Sequence, residues 1–338
     1  MKAAVLLIVL CMLSLWPEAS HGQEQCMHAT TGNLAPLGVM GSHTHSKGSW
    51  MFSYQLMRIH MQDNLTGREN IEKETILEQY MMVPASMNMW MHMLGGMYAV
   101  TDKLTLMGML PYVSNQMEMT DRMGMSSEMY SSSLGDVSLT TLYSLYKSHT
   151  QNLQLNLGVS IPTGSIDKTS TMHHMQHTVD VCLPYMMQTG SGTWDVMPAI
   201  AYTAIRKSLV YGVQGQARLR TGENTRAYRL GNLASLDGWL AYQQNNWLSY
   251  SLRLQALKRW EIYGQDRELD PMMSPASNAL NSGNEVVNAF VGTSCTIRKG
   301  LFEGHRLALE YGIPLYQHLN GIQMLSQNTL LLGWQASF

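Results

Sequence analysis

The chain has 338 residues, a formal net charge of −2, four cysteines and 29 methionines. A charge balance this close to zero excludes a nucleic-acid surface built on bulk charge, and so few cysteines exclude a disulfide-stapled scaffold. After the N-terminus no apolar run is long enough to cross a bilayer as a helix, so membrane entry requires a closed sheet.

Residues 1–22 read as a secretory signal peptide: Lys2, an apolar run from Ala3 to Trp16, then small residues Ser20 and Gly22 before a cleavage point at Gln23. Cys11 leaves with it. Cys26, Cys182 and Cys295 remain, an odd number, with Cys26 and Cys182 the one pair considered for an oxidising compartment. Residues 23–48 form a periplasmic N-terminal segment carrying CMH (Cys26–His28) and MGSHTH, with Met40, His43 and His45.

From residue 49 to the end the sequence alternates with period 2. Twelve such segments start near 49, 86, 103, 134, 151, 193, 208, 234, 247, 286, 305 and 325. The clearest is the last, where Leu330, Leu332, Trp334, Ala336 and Phe338 alternate with Thr329, Leu331, Gly333, Gln335 and Ser337. Short connectors at Thr101–Lys103, Lys147–Thr150, Arg206–Ser208, Asn245–Asn246 and Lys299–Gly304 alternate with long ones near 62–85, 117–133, 162–192, 221–233, 261–285 and 316–324. The fold expected is all-β: a transmembrane antiparallel β-barrel of about 12 strands over 49–338, with short periplasmic turns and long external loops. That places it in the bacterial outer membrane with lipid as a partner.

Methionine is concentrated in the first half, with only Met272, Met273 and Met324 beyond residue 200. In the first strand Trp50, Phe52, Tyr54 and Leu56 face lipid, so Met51, Met57 and Met61 face inward, and Arg58 and His60 fall outward near the external end. The second strand sets Met87, Met89, Met91, Met93 and Met97 on one face. Turning them inward gives Trp90, Leu94 and Tyr98 to lipid but also Asn88 and His92; the opposite parity buries His92 and exposes the sulfurs. Inward methionines are the expectation. In the third strand the apolar face of Leu104, Leu106, Leu110 and Tyr112 leaves Met107 and Met109 in the lumen. A three-residue turn at Thr101–Lys103 sets Met97 opposite Met107 and Met87 opposite Met117, and directly opposed Cβ atoms lie about 5 Å apart.

Thioether is a soft, neutral donor that favours Cu(I), and a conducting path needs sites weak enough to leave. The metal-ligating candidates are these strand methionines with His43, His45 and the loop cluster TMHHMQH, holding Met172, His173, His174, Met175 and His177. Further loop methionines are Met119, Met123, Met125 and Met129. The competing account is that methionine fills an irregular interior as an adaptable packing residue. The other wall is polar, with Arg218, Arg220, Arg253, Arg306, Glu310, Asp136, Asp195 and Asp237 expected inside.

The segments GSHTHSKGSWMFSYQLMRI, LTLMGMLPYVS, LGDVSLTTLY, LNLGVSIPTGSID and LPYMMQTGSGTWDVMPAI resemble the outer-membrane transporters grouped under the MetA-pathway of phenol degradation. The resemblance implies an outer-membrane barrel of transporter type and carries no site residues onto this chain. Three readings follow. The first is an outer-membrane transporter or channel that handles copper through a Met-lined lumen, copper being the one cofactor or cargo metal considered. The second is a channel for small hydrophobic or aromatic compounds, with the methionines as an apolar lining. The third is an outer-membrane enzyme, which needs a Ser–His pair on the outer wall; no convincing pair is found, and an outward His92 is its one foothold.

Overall fold

The computed structural model describes residues 34–174 and 177–338, of which 171–174 and 177–179 are described by their backbone alone. The signal peptide, Cys26, His28 and Met175 lie outside the described residues, as do the side chains of Met172, His173, His174 and His177.

In chain order the elements are β1 (Trp50–Gly67), β2 (Glu69–Asn70), α1 (Lys73–Gln79), β3 (Met82–Ala99), β4 (Leu104–Asp121), β5 (Ser126–Leu134), β6 (Val137–Lys147), β7 (Gln151–Ile161), β8 (Thr169–His174), β9 (His177–Cys182), β10 (Trp194–Arg206), β11 (Leu209–Thr221), β12 (Tyr228–Arg229), β13 (Leu233–Gln243), β14 (Leu248–Arg259), β15 (Tyr263–Gly264), β16 (Asn284–Thr296) and β17 (Arg306–Ser337). Each long strand pairs antiparallel with its sequence neighbour in the wall, and β17 returns to pair with β1, so the sheet closes. Closure leaves no open edge in lipid.

The ring has eleven strands, and β17 crosses the wall twice: its first limb pairs with β16 and its second with β1. The chain reverses at Gly321, whose φ of 67° suits a residue without a side chain. Across the reversal Gln317 Nε2 donates to the Ser326 carbonyl at 2.9 Å and Ser326 N donates to Gln317 Oε1 at 3.0 Å. Twelve passes result, as the twelve alternating segments predict.

Two expected long loops are corrected. Around 316–324 there is only the tight reversal within β17. Around 117–133, β4 runs to Asp121 and β5 starts at Ser126, and the two are hydrogen-bonded as a hairpin. Loops were expected where apolar alternation stops. Above the membrane the outward face is wet, so polar residues there keep the pleat: Gln116, Glu118 and Glu128 alternate with buried Met117, Met119 and Met129.

The wall is inverted relative to a soluble sandwich. On β7, Leu155, Leu157 and Val159 are exposed while Gln154, Asn156 and Ser160 are buried. Leu236 and Leu240 on β13, and Leu252 and Leu254 on β14, continue the outer apolar belt. Aromatics border it: Trp50 and Tyr98 pack at 4.4 Å between ring centres at the periplasmic end, where Phe338 also sits against Phe52. Apolar outside, polar inside and aromatic at the rims is the pattern of a barrel solvated by lipid.

Of the expected periplasmic segment, residues 34–46 lie within the barrel. Leu34 packs with Val210 and Ala241, Val39 with Trp239, and Leu37 with Phe290 and Leu331. Barrel side chains hold its backbone. Arg306 donates to the Ala35 carbonyl at 3.0 Å, Gln214 to that of Met40 at 2.9 Å, and Asn156 and Gln154 to that of Gly41. Externally, Arg226 ties separate loops together, bonding Asp167 at 2.7 Å and Asp266 at 3.2 Å. Cys182 is a buried free thiol 2.9 Å from the same guanidinium.

Candidate functional site

The interior has two unlike walls. On β1, β3 and β4 the inward parity is odd-numbered. Met51, Met61, Met87, Met93, Met97, Met117 and Met119 are buried, and Met57, Met89, Met91, Met107 and Met109 are partly so. Trp90, Leu94 and Leu106 are exposed on the other face. Between the two ends of this wall, over residues 51–61, 87–97 and 105–117, these faces hold no ionisable side chain: the other inward positions there are Ser53, Gln55, Ile59, Gly95, Thr105, Pro111, Val113 and Asn115.

Register then lines the sulfurs up in rungs. Met97 stands opposite Met107 and Met87 opposite Met117, the pairs that the short turn predicts. Because Met51 pairs with Met97, and Met61 with Met87, the periplasmic rung reads Met51–Met97–Met107 and the external one Met61–Met87–Met117. The β4–β5 hairpin extends the latter to Met129. Between them Met57 faces Met91, while Met89, Met93 and Met109 pair with Ile59, Gln55 and Gly95 instead of sulfur. The external rung belongs to one buried cluster with Met119, Leu183, Met187 and Met324. Met119 and Met129, expected in a loop, stand on the paired hairpin, and the continued odd–even alternation is the signal for them.

The opposite wall is ionic. Arg253 bonds Asp237 at 2.8 Å and Glu310 at 2.9 Å, and its guanidinium lies 3.7 Å over the Phe290 ring. Glu310 also accepts from Gly38 N at 3.2 Å, so this triad reaches the N-terminal segment. Arg220 bonds Asp195 at 2.5 Å. Asp136, expected on the lumen wall, instead sits between β5 and β6 and accepts from Gly164 N at 3.0 Å and Ser191 Oγ at 2.6 Å. It thereby gathers the turns that carry LGD, PTGS and TGSGTWD.

His43 and His45 lie in the N-terminal segment with ring centres 4.8 Å apart. Burial pushes the His43 imidazole down to about 3, helped by the positive charges of His45, Arg306 and Lys147. His45 is lowered by burial and then by Lys147. Both rings are therefore neutral donors at physiological pH.

On the outer wall, His92 Nδ1 is 2.7 Å from the Tyr54 hydroxyl. Arg58 donates to Asn88 Oδ1 at 2.7 Å and stacks over Trp90 at 5.3 Å, and His60 lies 3.1 Å from the same amide oxygen. Pairing across β1 and β3 is how these polar groups stand on an outward face. His92 meets a phenol there and not the serine that an acyl-transfer enzyme needs.

A closed antiparallel barrel with an apolar, aromatic-bordered outer belt and a polar interior is a bacterial outer-membrane β-barrel. The chain belongs to the family described as "Putative MetA-pathway of phenol degradation", whose model matches residues 82–254. Among solved structures it is similar to the COG4313 outer membrane channel from Pseudomonas putida F1. The identity is 14% and the TM-score 0.59, over 89% of this chain and 99% of that one. It is also similar to the translocator domain of the autotransporter NalP from Neisseria meningitidis, at 8% identity and a TM-score of 0.47 over 87% of this chain and 90% of that one. At such identities the likeness is one of fold. No curated protein matches the chain in sequence.

Proposed function

We propose that this protein is an outer-membrane channel for small apolar molecules of aromatic type, which travel along the thioether wall. The observation that carries the reading is the inward face of β1, β3 and β4, which holds methionine from the periplasmic to the external rung with no ionisable group on it. Methionine is unbranched and polarisable, adapts its shape to a guest and makes favourable contacts with aromatic rings. The ionic wall opposite is committed to internal pairs. The family description, which names phenol degradation, points to the same class of cargo.

The test is uptake of a radiolabelled small aromatic compound by cells that produce the protein, against cells that produce a Met91→Asp variant. Folding of both is checked by heat-dependent gel mobility. Uptake should fall in the variant, because a carboxylate on that wall must be solvated as the guest passes. Equal uptake by both, or no gain over cells without the protein, rejects the reading.

Handling of Cu(I) is the second reading. What favours it is the cross-strand register of Met61, Met87, Met117 and Met129, which sets neutral soft donors side by side. Copper accumulation in the same two strains distinguishes it, since this reading predicts a change in metal content and none in aromatic uptake.

A further inference from the structure

The periplasmic end of the thioether wall is where the N-terminal segment comes down on the barrel. His43 Nε2 and His45 Nε2 are both shut off from solvent there, and neither has a hydrogen-bond partner. The other nitrogen of His43 is accounted for, lying 3.4 Å from Ser42 Oγ. Leaving a buried ring nitrogen unpaired is unfavourable, and two neighbouring rings share that condition with their centres 4.8 Å apart.

The segment that carries the two rings runs beside a group of thioethers. Met51, Met97 and Met107 form one buried cluster with Leu142. The segment meets this cluster before His43 and its strand again after it. A Cβ placed on Gly41 would lie 3.7 Å from the Met107 Cε and 3.2 Å from Leu142 Cδ2. Beyond His43, the backbone of His45 donates to Thr105 Oγ1 at 3.4 Å, two residues from Met107 on β4. We propose that His43 and His45, together with thioethers of the Met51–Met97–Met107 rung, form a resident Cu(I) site that pins the N-terminal segment to the barrel wall.

The donor set selects the ion. Imidazole and thioether are neutral, and soft thioether favours Cu(I) over hard cations. Among the described residues no three His, Cys, Asp or Glu side chains converge on a metal position, so sulfur from methionine has to complete the set. The site is independent of what the channel carries, because its ligands include the stationary N-terminal segment as well as the wall.

The experiment is titration of the full-length protein in detergent with Cu(I) under reducing conditions, in competition with a chromogenic Cu(I) chelator. One equivalent should bind. The His43→Ala/His45→Ala double variant and Met107→Leu should each weaken that binding about tenfold or more, while Met87→Leu at the external rung leaves it unchanged. X-ray absorption of the copper-loaded wild-type protein needs no variant and should show nitrogen and sulfur together around the metal. Protease protection of the N-terminal segment should rise with Cu(I). Absence of stoichiometric binding, a sulfur-only shell, or affinity that survives loss of both histidines overturns the assignment. None of these outcomes bears on aromatic uptake, so the site and the proposed cargo fail separately.

Discussion

Met87 stands directly opposite Met117 across β3 and β4, and both side chains are wholly buried. Truncation of either leaves a cavity inside the external rung. Met87→Ala should therefore cost about 2–5 kcal/mol, whereas Met87→Leu, nearly equal in volume, should cost less than about 1.5 kcal/mol. Met123 is 80% exposed at the hairpin tip, and its change to Ala should stay within about 0.5 kcal/mol. Reversible urea unfolding in lipid vesicles measures all three. Equal loss from Met87→Ala and Met123→Ala would show that the rung is not packed.

The Asp237–Arg253–Glu310 triad makes a sharper demand, because every member is nearly fully buried. Arg253→Ala leaves two carboxylates without their cation and should cost about 3–5 kcal/mol. Neutralising the whole set, as Arg253→Met with Asp237→Asn and Glu310→Gln, should recover most of that loss. The diagnostic comparison is between single and triple variants in the same unfolding assay; a triple variant no better than the single one rules out uncompensated charge as the cause.

Gly38 connects that triad to the lumen. A Cβ on it would stand 2.1 Å from Arg253 Nη2, and Arg253 cannot swing away without releasing its carboxylates. Gly38→Val should therefore push residues 34–46 off the wall. Since that segment lies across the lumen, single-channel conductance in planar bilayers should rise above wild type. Unchanged conductance would mean either that the segment yields locally or that it does not limit flow.

Why so much of this was readable from sequence, and why some was not, follows from period 2. A strand with lipid on one face carries its orientation in its parity, so Trp50, Phe52 and Tyr54 fix the inward direction of Met51 and Met57 without coordinates. A short turn transmits register, which is how the Met97–Met107 pair is legible. Where the outward face leaves the bilayer the contrast vanishes, and Met117 to Met129 then reads as loop although it is a paired hairpin. The place of His43 and His45 was not legible at all. Their segment has no alternation, and what positions it is a set of side chains from Gln154, Gln214, Glu310 and Arg306 that are remote in sequence. Asp136 was misassigned for a similar reason: parity says which face a residue takes, but not that a turn has carried it off the wall.

Tyr54 and His92 supply the last prediction. They meet at 2.7 Å on the outward face of β1 and β3, where water is scarce and an unpaired polar group is costly. His92→Leu alone removes the histidine's polarity but strands the phenol, and Tyr54→Phe alone strands the imidazole. Each single change should destabilise by about 1–3 kcal/mol. The double variant Tyr54→Phe/His92→Leu replaces both partners with apolar groups of similar shape and should come back to wild-type stability or exceed it. The quantity that decides is the coupling energy from the complete cycle, measured by urea unfolding in vesicles. Additive losses would show that each group is solvated on its own, and that the pair is a coincidence of register and not a device for keeping a histidine on a lipid-facing wall.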